Sequence, residues 1–313
     1  MKPRLKYLVI YFLISGLTLW CQGSSAKMRA QSTRHKSASA DWKAVDEAMG
    51  RSGQDQPDGA RKYGMPRKDL NVTVNGSQVK PGLALGSWAA FNHPGQNAMV
   101  MGDLVLTEDE VAPVMQKLHA EGLEVTALHN HLLHETPRVM YMHIHGKGDA
   151  ATLAKAVHDA LAETKTPGPE PTAQSSQQQT DIGINIQQIE QALGHKGKVN
   201  NGIFQVSVPR AEHVMEGGMR VPGSMGLATG LNFQPTGDGK AAIAGDFVLL
   251  GKEVNPVMKA LQENNIMVTA VHSHMLEEQP RLFFMHFWAN DDAVKLAKGL
   301  RAALDKTNSQ KGK

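Results

Sequence analysis

Histidine is unevenly placed in this chain. Five of its 14 histidines (His129, His131, His134, His143 and His145) fall within residues 129–145, and three more (His272, His274 and His286) fall within 272–288. A window of that length would hold about one if 14 were spread over 313 residues. The two windows share a skeleton, H-x-H-x3-E-x-P-R followed by M-H. It comprises His129, His131, Glu135, Pro137, Arg138, Met142 and His143 in one, and His272, His274, Glu278, Pro280, Arg281, Met285 and His286 in the other.

An H-x-H pair on a strand points two imidazoles to one face, their Cα atoms roughly 6.5–7 Å apart. Both can then reach one ion at about 2.0–2.1 Å, with a carboxylate four residues later as a third ligand. The expected ligand sets are His129, His131, Glu135 and His272, His274, Glu278. Two His and one carboxylate leave coordination positions open, as at zinc or non-haem iron sites that do chemistry. A divalent metal, zinc for example, is the cofactor this implies. Glu135 and Glu278 are the candidate catalytic bases beside it. Arg138, His143, Arg281 and His286 are expected to surround the ligands. For a hairpin turning near residue 134, His143 pairs with residue 124 or 125, roughly 14 Å along the strand from His129. His143 then joins a metal site only by serving the other copy. Two readings without metal stand beside this one. The imidazoles can bond turn carbonyls while Glu135 pairs with Arg138 in a structural network, or the cluster can line a metal-free ligand pocket.

The elements that position these residues occur twice. Residues 102–164 align with 245–307 at a constant offset of 143 without a gap, and 29 of the 63 positions are identical. The match extends upstream, where Met65-Pro66-Arg67 parallels Val208-Pro209-Arg210. A period this long means tandem domain duplication rather than a solenoid. Each unit reads β-β-α-β-β-α. In the first, 83–91 and 98–106 are strands, Thr107 and Glu110 form a capping box, and Val111, Val114, Met115 and Leu118 line one helix face. Pro113 sits inside that helix. In the second unit Asn255-Pro256 suits a helix start, which puts the true beginning there. Strands at 123–129 and 138–145 follow, then a helix opened by Asp149. Slotting the last strand between the ends of the β-α-β crossover gives an α+β, ferredoxin-like antiparallel sheet with helices on one face. Residues 282–285 (Leu-Phe-Phe-Met) are apolar on both faces, so the bare side of each sheet is expected to be covered by the other repeat.

Expected boundaries are a signal peptide at 1–26, a flexible arm at 27–40, repeat 1 at 41–165, a Pro/Gln/Ser-rich linker at 166–181, repeat 2 at 182–308 and a tail at 309–313. Lys2, Arg4 and Lys6 precede a 14-residue apolar run, and Ser24 and Ala26 suit cleavage after Ala26. Export to the periplasm or beyond follows, with no transmembrane anchor afterwards. Trp20 and Thr18 are the wrong residues before Cys21 for lipid attachment. The formal charge is +3. The three cations of the leader account for all of it, so the mature chain has no field for nucleic acid.

The string H-N-H-x3-E-x-P-R-x3-M-H-x-H, whose H-x-H-x3-E-x-P-R-x3-M-H skeleton is doubled behind a signal peptide, resembles the LppY/LpqO family of bacterial exported proteins and lipoproteins with a duplicated domain. The resemblance implies export and no established activity. A cupin also carries H-x-H-x3-E, but the framing glycines are missing and two helices per unit contradict an all-β barrel. Two functional readings remain from the sequence: a metal site of hydrolase type, or a non-catalytic module binding a small ligand or protein partner.

Overall fold

The computed structural model describes residues 41–168 and 181–312. The signal peptide, the arm and linker residues 169–180 lie outside the described residues. Repeat 1 runs α1 (Lys43–Met49), β1 (Arg61–Pro66), β2 (Gly86–Phe91), β3 (Ala98–Thr107), α2 (Glu108–Ala120), β4 (Glu124–His129), β5 (Val139–Gly148) and α3 (Ala150–Leu161). Repeat 2 runs α4 (Ile186–Leu193), β6 (Ile203–Pro209), β7 (Ala228–Gly237), β8 (Lys240–Leu250), α5 (Gly251–Glu263), β9 (Met267–His272), β10 (Leu282–Asp292) and α6 (Ala293–Leu304).

Each repeat builds one antiparallel sheet, in the order β1-β2-β3-β5-β4 or β6-β7-β8-β10-β9, with a short strand (Gln54–Asp55 or Lys198–Asn200) beyond the first member. The last strand does slot inside the crossover, giving the expected α+β unit twice. The expectation did not include β1, β6, α1 or α4, although β6 (Ile203, Phe204, Val206, Val208) and α4 (Ile186, Ile189, Leu193) carry apolar residues at strand and helix spacing. Asp238-Gly239 closes the β7–β8 hairpin, both residues at positive φ as a tight primed turn requires.

Helices cover one face of each sheet. In repeat 1, Val45, Val114, Leu118, Val157 and Leu161 pack onto Met65, Phe91, Leu104 and Ile144. The other faces meet each other. Val105, Val139 and Tyr141 of repeat 1 share a cluster with Ala242, Ala244 and Trp288, while Met99 and Met101 share one with Val248, Leu282 and Phe284. These two apolar patches are near copies of each other under the 143-residue offset, so the interface has a pseudo-twofold.

Both long crossover helices begin earlier than Asn255-Pro256 suggested, at Glu108 and Gly251, with Pro113 and Pro256 inside them. The first turn is held in place instead by a buried ion pair. Glu110 accepts from the Thr107 amide and from Arg67, which is fully buried and also donates to Asp69 and to the Val105 carbonyl. Arg210 repeats this with Glu253, Glu212 and the Val248 carbonyl.

Candidate metal centre

One unpaired residue in each sheet decides where the histidines point. Val125 pairs with Ile144, but Ala127 pairs with His143, so Thr126 is a bulge. Val268 and Ala270 bracket Thr269 in the same way. A bulge flips the faces of everything beyond it. Val125 therefore packs into the helical core, while Ala127 and His129 face the other repeat. The bulged threonines also tie the repeats together. Thr126 Oγ1 donates to the His274 carbonyl at 2.7 Å, and Thr269 Oγ1 to the His131 carbonyl at 2.6 Å.

This register corrects the expectation for His143. It lies opposite Ala127, and His129 lies opposite Tyr141, so the two histidines are two positions apart and their ring centroids are 5.0 Å apart. His272 and His286 match them at 4.7 Å. The clusters of the two repeats then merge across the interface. His129 and His272 have centroids 3.6 Å apart on the pseudo-twofold, His131 meets His286 at 3.6 Å, and His143 meets His274 at 3.8 Å. His131 stacks on Tyr141 and His274 on Phe284, each at 3.4 Å.

The carboxylates in this cluster come from elsewhere than expected. Asp103, the cross-strand partner of His143, places Oδ2 3.4 Å from His131 Nε2, and Asp246 stands 3.3 Å from His274 Nε2. Neither Glu135 nor Glu278 joins any set of mutually close ligand atoms among the described residues. Glu278 is buried, and both its oxygens are engaged, by Arg281 and by the Leu282 amide. Glu135 sits on a two-residue strand opposite Val74. Arg138 is exposed, and Arg281 also donates to Ser273 and the Met275 and Leu276 carbonyls, so both stand outside the cluster. Glu278–Arg281 is the repeat 2 counterpart of the Glu135–Arg138 pair weighed above, and it does not take up the imidazoles. Asp103 and Asp246 had a sequence signal, since each is the lone acid inside an apolar strand and both follow glycine at the same offset.

Nine imidazole nitrogens of these six histidines are buried without a hydrogen-bond partner, as are Oδ1 of Asp103 and Oδ1 of Asp246. Two of the three exceptions explain the orientation. His143 Nδ1 bonds the Gly102 carbonyl at 3.2 Å and His286 Nδ1 the Gly245 carbonyl at 2.9 Å, which makes Nδ1 the protonated nitrogen. Nε2 is left with a free lone pair facing the cluster, the arrangement that prepares a histidine for a metal. Burial lowers the pKa of all six rings, His131, His143, His274 and His286 far below the ordinary histidine value, and their mutual proximity lowers most of them further. They are neutral, hence competent ligands. Burial also pushes the Asp246 carboxyl up to about 6, Asp103 adding to it and His286 opposing.

Four sets of three donors have their ligand atoms within 4.8 Å of one another: His129, His131, His286; His129, His143, His272; Asp103, His131, His143; and Asp246, His272, His274. Two of the four draw on both repeats. The cluster can therefore hold a metal ion, with nitrogen and carboxylate donors suited to zinc, iron or a similar divalent ion.

No helix among the described residues is long and apolar enough to cross a membrane. No curated protein matches the chain in sequence. Two solved structures are similar over 80% of this chain and 90% of their own: EtuB from Clostridium kluyveri, at 10% identity and a TM-score of 0.17, and the trimeric bacterial microcompartment shell protein PduB, at 13% and 0.19. Superposition that poor carries no argument. The family comparison is of another kind, matching residues 43–163 and again 187–306. The chain belongs to the family described as Domain of Unknown Function (DUF1259), and it holds two copies of that domain.

Proposed function

We propose that this is an exported protein of the LppY/LpqO type that binds a divalent metal between its two repeats. His129, His131, His143, His272, His274 and His286 would hold the ion with Asp103 and Asp246. The observation that carries this reading is the set of nine buried, unpartnered imidazole nitrogens. Each unmet polar group costs roughly 1–3 kcal/mol, a cost that a bound ion removes. A structural polar cluster would spend those nitrogens on carbonyls or hydroxyls, as the Arg67 and Arg210 networks do. A divalent ion supplies Lewis acidity and lowers the pKa of bound water, which is what hydrolase-type chemistry needs. This chain's contribution is to fix ring orientation through the Gly102 and Gly245 carbonyls and to exclude bulk water with the flanking apolar clusters.

Calorimetric titration with zinc tests the reading. The full chain is expected to bind zinc, and a His131→Ala/His274→Ala double variant is expected to lose at least a hundredfold in affinity. A double variant that binds zinc as the parent does would refute it. Export is tested separately by N-terminal sequencing of the secreted chain, expected to begin at Lys27; a start at Cys21 would restore the lipoprotein reading.

A further inference from the structure

The two halves of the centre are framed differently. Across repeat 1, cross-strand partners on the inter-repeat face run Gly64, Trp88, Asp103, His143, Ala127. The same row in repeat 2 reads Ser207, Gly230, Asp246, His286, Ala270. Beside the aspartate, one repeat carries an indole and the other carries no side chain.

The indole closes its side. Trp88 reaches across to repeat 2, where a Cβ on Gly226 would lie 3.2 Å from its ring and 3.4 Å from His274 Nδ1. Lys62 covers the ring, with Nζ 4.1 Å from the centroid. Its counterpart in repeat 2 is Gln205, which donates to the Gly82 carbonyl. At Gly230, by contrast, a Cβ would meet no heavy atom within 4 Å. The side chains follow the same asymmetry. His274 is 5% exposed and its equivalent His131 15%, while Asp103 is 8% exposed and its equivalent Asp246 19%.

We propose that Gly230 forms the mouth of the centre, through which a small anionic oxygen or nitrogen donor reaches the ion past His131 and Asp246. Trp88 and Lys62 seal the opposite side. The proposal rests on the metal reading for its chemistry but not for its geometry. No donor set holds more than one carboxylate, so a divalent ion bound in any of them keeps positive charge to attract an anion. A carboxylate- or phosphate-bearing substrate head would suit it, and azide serves as the probe.

The test uses the full chain loaded with cobalt(II), titrated with azide and read by visible absorption, with cobalt content measured independently by elemental analysis. Gly230→Trp, which copies the closed side onto the open one, is expected to keep its cobalt and weaken azide binding at least tenfold. Trp88→Gly is expected to bind azide within twofold of the parent or tighter. Unchanged azide affinity in Gly230→Trp with cobalt retained, or a tenfold loss confined to Trp88→Gly, would overturn the proposal. A second readout is independent of metal and of any variant. Diethyl pyrocarbonate on the metal-free parent, followed by peptide mass spectrometry, is expected to modify His131 at least threefold faster than His274. Equal rates, or faster modification of His274, would overturn the mouth even if the metal reading fails.

Discussion

Two kinds of buried polar assembly occur in this molecule, each of them twice. Arg67 and Arg210 are almost entirely inaccessible, and both spend their guanidinium donors on two carboxylates and a backbone carbonyl. Of the six histidines at the repeat interface, three are buried and three half-buried, and nine of their nitrogens make no hydrogen bond among the described residues. Folding accounts for the first arrangement completely: it clamps the start of α2 to β1 and β3, and of α5 to β6 and β8. It does not account for the second, which holds unmet donors and acceptors at a cost. On the proposed metal reading, that difference separates a site kept for the fold from one kept for a ligand.

The largest expected effect tests the fold side. Arg67→Ala strands Glu110 in the interior and is expected to cost about 3–5 kcal/mol in denaturant melts, with Arg210→Ala costing the same through Glu253. A loss under about 1 kcal/mol in either would remove the contrast. For the metal-free chain, His131→Ala or His274→Ala is expected to change stability by less than about 1 kcal/mol, because relief of the unmet ring nitrogens offsets the packing lost against Tyr141 or Phe284. A drop above about 2 kcal/mol would make the histidines structural.

Acid should separate the two assemblies by pH. The six imidazoles have folded pKa values below the unfolded value of about 6.5, so the unfolded chain takes up more protons as pH falls. Their contribution is complete above about 6.5 and is lost below it, at about 1.4 kcal/mol per pH unit for each imidazole. Asp246 works the other way. With its carboxyl at about 6 when folded, its contribution is complete below the ordinary carboxyl value and fades as pH rises through 6, offsetting one imidazole. Burial alone would raise the pKa of Glu110, but its bonds from Arg67, Lys165 and Thr107 bring it below its usual value, so its contribution declines only below about 4.5. Melts of the metal-free chain should therefore weaken between pH 6.5 and 5, before the Arg67 network is affected. Constant stability over that range would contradict the burial of the rings. The smallest effect belongs to Glu135→Gln, which lies outside the donor sets and should leave zinc affinity within twofold.

Much of this was legible in the sequence. Strand and helix order, the inserted last strand and the covering of each sheet by the other repeat followed from periodicity and the 143-residue offset, and the H-x-H pairs singled out by spacing do lie within the donor sets. Register did not follow, since Thr126 and Thr269 look like ordinary strand residues and nothing local marks either as unpaired. One such residue moved His143 and His286 from the surroundings into the cluster. Glu135 and Glu278 were drawn in by spacing along one hairpin. Asp103 and Asp246 enter through neighbouring strands, which spacing along the chain does not reveal. The merging of both clusters into one centre is a tertiary fact, carried by contacts such as Thr126 to His274.

The central claim is that the interface between the repeats is a metal centre. Elemental analysis of the full chain, purified without a histidine tag and then dialysed against zinc, tests it most directly. The account predicts at least one tightly held equivalent per chain, lost in the His131→Ala/His274→Ala double variant. Zero equivalents in a folded parent chain would contradict it.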